Sequence, residues 1–168
     1  MFKWVWLSGL VIGLDLVTKA MATALLNYAE PVPVLPYFNL TLLHNTGAAF
    51  SFLADASGWQ RWFFIALAGA VSVCLLVWLS RLQPGERWLA IALALVLGGA
   101  VGNLYDRIIH GYVVDFIHVY YGNYHFPAFN IADCAISIGA VMMAIDIFMD
   151  SSGGGSRVEP VNHSGKNQ

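Results

Sequence analysis

Two aspartates stand where an acid is costly or well placed, and together they define the chemistry this chain can offer. Asp115 interrupts the strand-like run Val113-Val114-Asp115-Phe116-Ile117, where alternation puts it on the face of Val113 and Ile117 and away from polar neighbours. Desolvation there would raise its pKa and make it a candidate acid or base; a carboxylate satisfied by loop amides is the alternative. Asp133 follows Asn130 by three residues at the start of an apolar run, a spacing that also suits a first-turn acid completing a helix cap. If both belong to the same surface, the two carboxyls can converge. One ionised aspartate would then take a proton from water while the other, kept protonated by its neighbour's charge, hydrogen-bonds a scissile carbonyl. No metal, cofactor or covalent intermediate is needed. The titration belongs to the pair, so the sequence leaves open which aspartate is base and which is acid.

Other polar residues lie inside or beside apolar stretches, where each needs a partner or a task. Asp15 and Lys19 are spaced i, i+4, on one helical face with the acid first, so a packing ion pair and a direct chemical role are both open. In Gly98-Gly99-Ala100-Val101-Gly102-Asn103-Leu104-Tyr105-Asp106-Arg107, the Gly98/Gly102 spacing lets a second helix approach closely. Asn103 and Arg107 share a face there, and Arg107 suits a carboxylate, a lipid phosphate or a substrate carbonyl. Gly47, with Ala48 and Ala49 after it in the run Asn45 to Ser51, predicts a tight loop that lets a ligand backbone come close. Competing designs fit poorly: Ser51 lacks a nucleophile-elbow pattern, and His44, His110, His118 and His125 lack metal-ligand spacing. Cys74 and Cys134 also lack ligand spacing and read as small core residues.

The elements that must position these groups are membrane helices. The chain of 168 residues is 58% hydrophobic and 11% charged, too apolar for an ordinary soluble surface. Four stretches, Trp4 to Leu26, Trp62 to Ser80, Trp88 to Tyr105 and Ile131 to Met149, are long enough to cross about 30 Å of hydrocarbon. The expected fold is therefore membrane all-α, with four transmembrane helices and a small periplasmic β-sheet on the outer surface, in one domain over residues 1–150. Lys3, Arg81, Arg87, Arg157 and Lys166 outweigh Arg61 and Arg107 on the other side, which predicts cytoplasmic termini and outward-facing long connections. Those connections hold the β-branched and aromatic runs Pro33 to Phe38 and Tyr112 to Ile117, where short strands are expected. Residues 151–168 read as a disordered cytoplasmic tail. The N-terminus imitates a secretory signal, but Asp15 and Lys19 would sit in its apolar region, which favours a retained helix. A net charge of -2 offers no cationic footprint for nucleic acid.

The combined pattern closely resembles the lipoprotein signal peptidase family, also called signal peptidase II, of bacterial inner membranes. The resemblance covers about Asp15 to Ile136 and rests on five elements in order: Asp15 to Lys19, Asn45 to Ser51, Gly98 to Arg107, Val113 to Ile117, and Phe126 to Asp133. It implies an aspartic endopeptidase that cuts a prolipoprotein before its diacylglyceryl-modified cysteine within the membrane, near the periplasmic surface, and is inhibited by globomycin. Carried over, the catalytic dyad falls on Asp115 and Asp133, and the supporting polar residues on Asp15, Lys19, Asn45, Asn103, Arg107 and Asn130. The expected partners are that precursor, membrane lipid and globomycin-type inhibitors, with the enzyme working as a monomer. A proton-coupled transporter is the main rival, but the acids gather at one boundary and no inverted repeat is evident. An assembly protein whose polar groups only join helices is the second.

Overall fold

Backbone amides in lipid must be satisfied within their own segment, and the apolar stretches meet this demand as helices. The computed structural model describes residues 2–47 and 59–153. After a short 3-10 turn at Phe2–Trp4 come α1 (Val5–Leu25), β1 (Val32–Leu35), β2 (Phe38–Asn45), α2 (Trp59–Arg81), α3 (Arg87–Ile109), β3 (Val113–Tyr121), β4 (Tyr124–His125) and α4 (Ile131–Gly153). All four helices are long and apolar enough to cross a membrane. The expected Ala48 to Ser51 part of the Gly47 loop and residues 154–168 of the expected tail lie outside the described residues.

Helix α3 is the axis of the bundle. Half of its most apolar window is buried, against 17% for α2 and for α4, because α1, α2 and α4 all pack on it. Small residues permit this. A Cβ on Gly98 would meet Val11 and the Ser8 carbonyl of α1, and one on Gly102 would meet the Asp15 carboxylate at 2.7 Å, so the Gly98/Gly102 face receives α1. Gly99 faces the Ala132 carbonyl and Ile136 of α4. Cys74 corrects the sequence reading: it is exposed, because α2 packs chiefly on α3 among the helices and leaves most of its surface uncovered.

Two helices outrun their apolar stretches. Helix α3 continues past Tyr105 to Ile109, since hydropathy marks where the apolar run stops and not where hydrogen bonding stops. Arg61 of α2 donates to the carbonyls of Arg107 (2.9 Å) and Ile108 (2.8 Å), satisfying helix-end acceptors with a cation where the macrodipole favours one. Helix α4 likewise runs to Gly153, into the expected tail.

The strands form one antiparallel sheet in the order β1-β2-β3-β4. The run Pro33 to Phe38 is not one strand. It turns at Tyr37, which has φ of 69°, and β2 then carries the chain to Asn45. Leu40 pairs with Ile117 but Leu43 pairs with Asp115, so Thr41 and Leu42 together oppose Phe116. This bulge inverts the alternation of β2 and brings Asn45 onto the face of Asp115. The sheet lies at the end of the bundle shared by the C-termini of α1 and α3 and the N-termini of α2 and α4.

Because a Cβ at Gly99 would collide with α4 backbone, Gly99→Val is expected to destabilise the detergent-solubilised protein by about 1–3 kcal/mol in thermal unfolding. Gly9→Val, where nothing lies within 4 Å, should leave the transition nearly unmoved.

Candidate active site

The buried polar groups gather around an ammonium. Lys19 of α1 is 3% exposed, and its Nζ lies 2.7 Å from Asp15 Oδ2, 2.9 Å from Asp106 Oδ2 and 2.9 Å from Asn103 Oδ1. Two carboxylates and an amide oxygen thus surround the ammonium, which is what a charge in an apolar bundle requires. Asp15 Oδ1 also accepts the Ala132 N–H at 2.9 Å, tying α1 to the first turn of α4. The Asp15/Lys19 spacing therefore does form an ion pair, as a part of a larger cluster.

Asn103 carries the cluster toward the aspartates. With its Oδ1 accepting from Lys19, its Nδ2 donates to Asp133 Oδ1 at 2.8 Å. Asn130 and Asp133 cap α4 reciprocally: the Asp133 N–H donates to Asn130 Oδ1 (2.9 Å) and the Asn130 N–H to Asp133 Oδ2 (3.2 Å), a capping box built from an amide and an acid. Asn130 Nδ2 lies 2.7 Å from Asp115 Oδ1, and Asn45 Nδ2 lies 3.1 Å from Asp115 Oδ2. The capping role and the convergence of the two carboxyls are thus both present, through one shared asparagine.

Segment Phe126 to Asn130 makes this meeting possible by lying along β3. Phe129 exchanges hydrogen bonds with Ile117 in both directions, and the Phe126 N–H reaches the Val119 carbonyl. On the other side, Arg107 donates from Nη2 to the Gly47 carbonyl (3.1 Å) and from Nη1 to the Asn103 carbonyl (3.3 Å), with its guanidinium carbon 5.1 Å from the Phe64 ring centroid. Both acceptors are carbonyls of the chain itself. Gly47 N–H in turn donates to Asn45 Oδ1 at 3.0 Å. All nine site residues read from the sequence are joined in one network.

Asp115 is 3% exposed. Burial first, then the Asp133 charge, push its carboxyl up to about 7, against the opposing pull of Asn45, Asn130 and Lys19. Both aspartates open onto a cavity of about 840 Å³ that Arg107 and Asn45 also border, with Phe126 and Ile138 among its apolar walls. Cys134 lines the same cavity and is half-buried, also unlike a core residue.

One participant carried no role in the sequence reading. Asp106 is 2% exposed, and its Oδ2 accepts both Lys19 Nζ and the Val114 N–H (3.1 Å). It thereby fixes the strand one residue before Asp115. Its spacing of three from Asn103 in α3 was the available signal, masked by the more conspicuous Arg107 beside it.

A bundle of four membrane helices with a small sheet and a buried carboxylate cluster at one end defines a multi-pass membrane protein built for chemistry at its boundary. The model of the family signal peptidase (SPase) II matches residues 7–149, and the chain belongs to that family and is a peptidase. It is 62% identical over 145 residues to a lipoprotein signal peptidase of Acinetobacter baumannii (strain ATCC 17978), spanning 86% of this chain and 82% of that one. It is 58% identical over 153 residues to that of Pseudomonas aeruginosa (strain PAO1), spanning 90% of each. A solved bacterial membrane enzyme, determined by the in meso method at 2.3 Å resolution, superposes with a TM-score of 0.82 at 29% identity over 92% of this chain and 93% of its own.

Lys19→Ala leaves Asp15 and Asp106 buried without their counter-charge, a loss of about 3–5 kcal/mol. The expected result is a fall in the yield of monodisperse protein on size exclusion that exceeds any fall in turnover per folded molecule.

Proposed function

We propose that this chain is an aspartic endopeptidase that removes the signal peptide from diacylglyceryl-modified prolipoproteins, cleaving before the lipidated cysteine, with Asp115 and Asp133 as the dyad. The observation that carries this reading is the shared Asn130, which bonds both carboxyls, each of them lining one cavity. The named relatives support the substrate class.

Asp133 is the base and Asp115 the acid in this reading. Asp133 is half-buried at the N-terminus of α4, accepts from two N–H donors and borders the cavity, where a water can approach it. Asp115 is deeper and holds its proton more tightly. Water attacks the scissile carbonyl carbon as its proton passes to Asp133, and the Asp115 proton moves to the carbonyl oxygen, giving a neutral gem-diol. Asp133 then gives its proton to the amide nitrogen while one gem-diol hydroxyl returns a proton to Asp115, and the C–N bond breaks with both aspartates restored to their starting states. The products are the carboxyl end of the signal peptide and the amine of the lipidated cysteine. Arg107 and Gly47 position the backbone near the dyad, and apolar walls receive the acyl chains.

We further propose that the protein lies in the bacterial inner membrane with cytoplasmic termini and its sheet at the periplasmic surface. Lys3, Arg81 and Arg87 stand at the helix ends away from the sheet, in line with the positive-inside bias. The working unit in this reading is a monomer. Globomycin-type inhibitors would compete for the same cavity.

Asp115→Asn and Asp133→Asn are each expected to reduce cleavage of a diacylated precursor by at least about 10²–10⁴-fold with membrane insertion intact; near-normal turnover by either would remove the dyad. A chelator should leave the wild-type rate unchanged.

The acid must carry the shared proton, so kcat/KM should be sustained below pH of about 7 and decline as pH rises through it. Asn45→Ala removes a hydrogen bond that favours ionised Asp115, so its alkaline limb should lie at higher pH. A limb that stays put or moves down contradicts the assignment of Asp115 as acid.

A further inference from the structure

A second polar cluster lies farther along the sheet, where β3 turns into β4. His118 Nε2 and His125 Nδ1 face each other at 3.1 Å, with the rings stacked at 5.2 Å and 28°. The other nitrogen of His118 lies 3.2 Å from Thr41 Oγ1. Asn39, the cross-strand partner of His118, is 9% exposed, and its Oδ1 has no hydrogen-bond partner among the described residues. Cross-strand partners share a face, so this buried acceptor and the two imidazoles belong to one side of the sheet. None of these residues lines the cavity of the aspartates.

We propose that His118 and His125, with the Asn39 side-chain oxygen as third donor, bind a divalent transition-metal ion such as Zn2+ and clasp β4 to β3. Two imidazole nitrogens each about 2.0–2.1 Å from Zn2+ at a tetrahedral angle stand about 3.3 Å apart, close to the separation in this pair. In the metal-bound form His118 Nδ1–H donates to the Thr41 hydroxyl and Nε2 coordinates, as outer hydrogen bonds orient ligating histidines. His125 then needs its proton on Nε2, which it reaches by tautomer exchange through solvent. At neutral pH the ion therefore replaces one shared proton without net proton release.

The ligand set defines the class of ion. Two imidazoles and a carbonyl oxygen suit Zn2+, Ni2+ or Cu2+, whereas Mg2+ takes oxygen donors and keeps its waters. Among the described residues no three His, Cys, Asp or Glu side chains gather as a ligand group, so this is a two-imidazole site of moderate affinity, with water completing the sphere on the exposed His125 side. The clasp would stiffen the hairpin that continues into Phe126 to Phe129, and so the cavity wall.

Zn2+ titration of the untagged full-length protein in detergent micelles at about pH 7.5, followed by isothermal calorimetry, tests this independently of cleavage. One ion should bind per chain, with affinity falling about tenfold or more in His118→Ala and in His125→Ala and unchanged in His110→Ala. Binding should weaken at about pH 5.5, where imidazoles protonate, and Mg2+ should give no saturable heat. His125 is exposed on a two-residue strand, so its variant keeps the fold. Absence of saturable Zn2+ binding, or undiminished affinity in His125→Ala, overturns the site.

Discussion

An ammonium stripped of water inside an apolar bundle must be surrounded by acceptors, and the arrangement at the sheet end of this protein follows from meeting that demand for Lys19. Its three partners come from α1 and α3, so the ion cluster locks those helices together and sets which atom of the Asn103 amide faces Asp133. A charge normally unwelcome in lipid thus becomes the reference point from which the carboxyls are placed. Its partners are satisfied in turn, by Ala132 N–H and by Val114 N–H. The cluster therefore reaches the helix start that bears Asp133 and the strand that bears Asp115.

Backbone proximity is the second constraint. Side chains as short as Asp and Asn bridge helices only if the helix axes come close, and Gly98, Gly99 and Gly102 allow this on two faces of α3. Lipid supplies no hydrophobic drive between helices, so close packing and interhelical polar bonds must hold the bundle. The glycines and the Lys19 cluster act together: the glycines bring the helices near, and the polar contacts fix their register.

The same arrangement suits a peptidase that works on a membrane-held chain. The cavity combines apolar walls with a polar floor of amides and carboxyls, at the end of the bundle where the sheet begins. Water can reach half-buried Asp133 while Asp115 stays largely shielded. That inequality of exposure is the kind of asymmetry the proposed carboxyl pair would use.

Local rules determined much of this in advance. The four spans, the Asp15/Lys19 pair and the Asn130/Asp133 cap are legible because helix length and i, i+3 or i, i+4 spacing act within one segment. The five elements in order also identify the family. Other features arise only when distant segments pack. The bulge at Thr41 and Leu42 turns Asn45 toward Asp115, and nothing in β2 alone specifies it. Asp106 gained its place from a lysine on another helix and an amide on a strand. Asn130 joins both aspartates because Phe126 to Phe129 lies along β3, a pairing set by tertiary contacts. The unequal burial of Asp115 and Asp133 follows from that packing, since desolvation depends on everything surrounding a group and not on its neighbours in sequence.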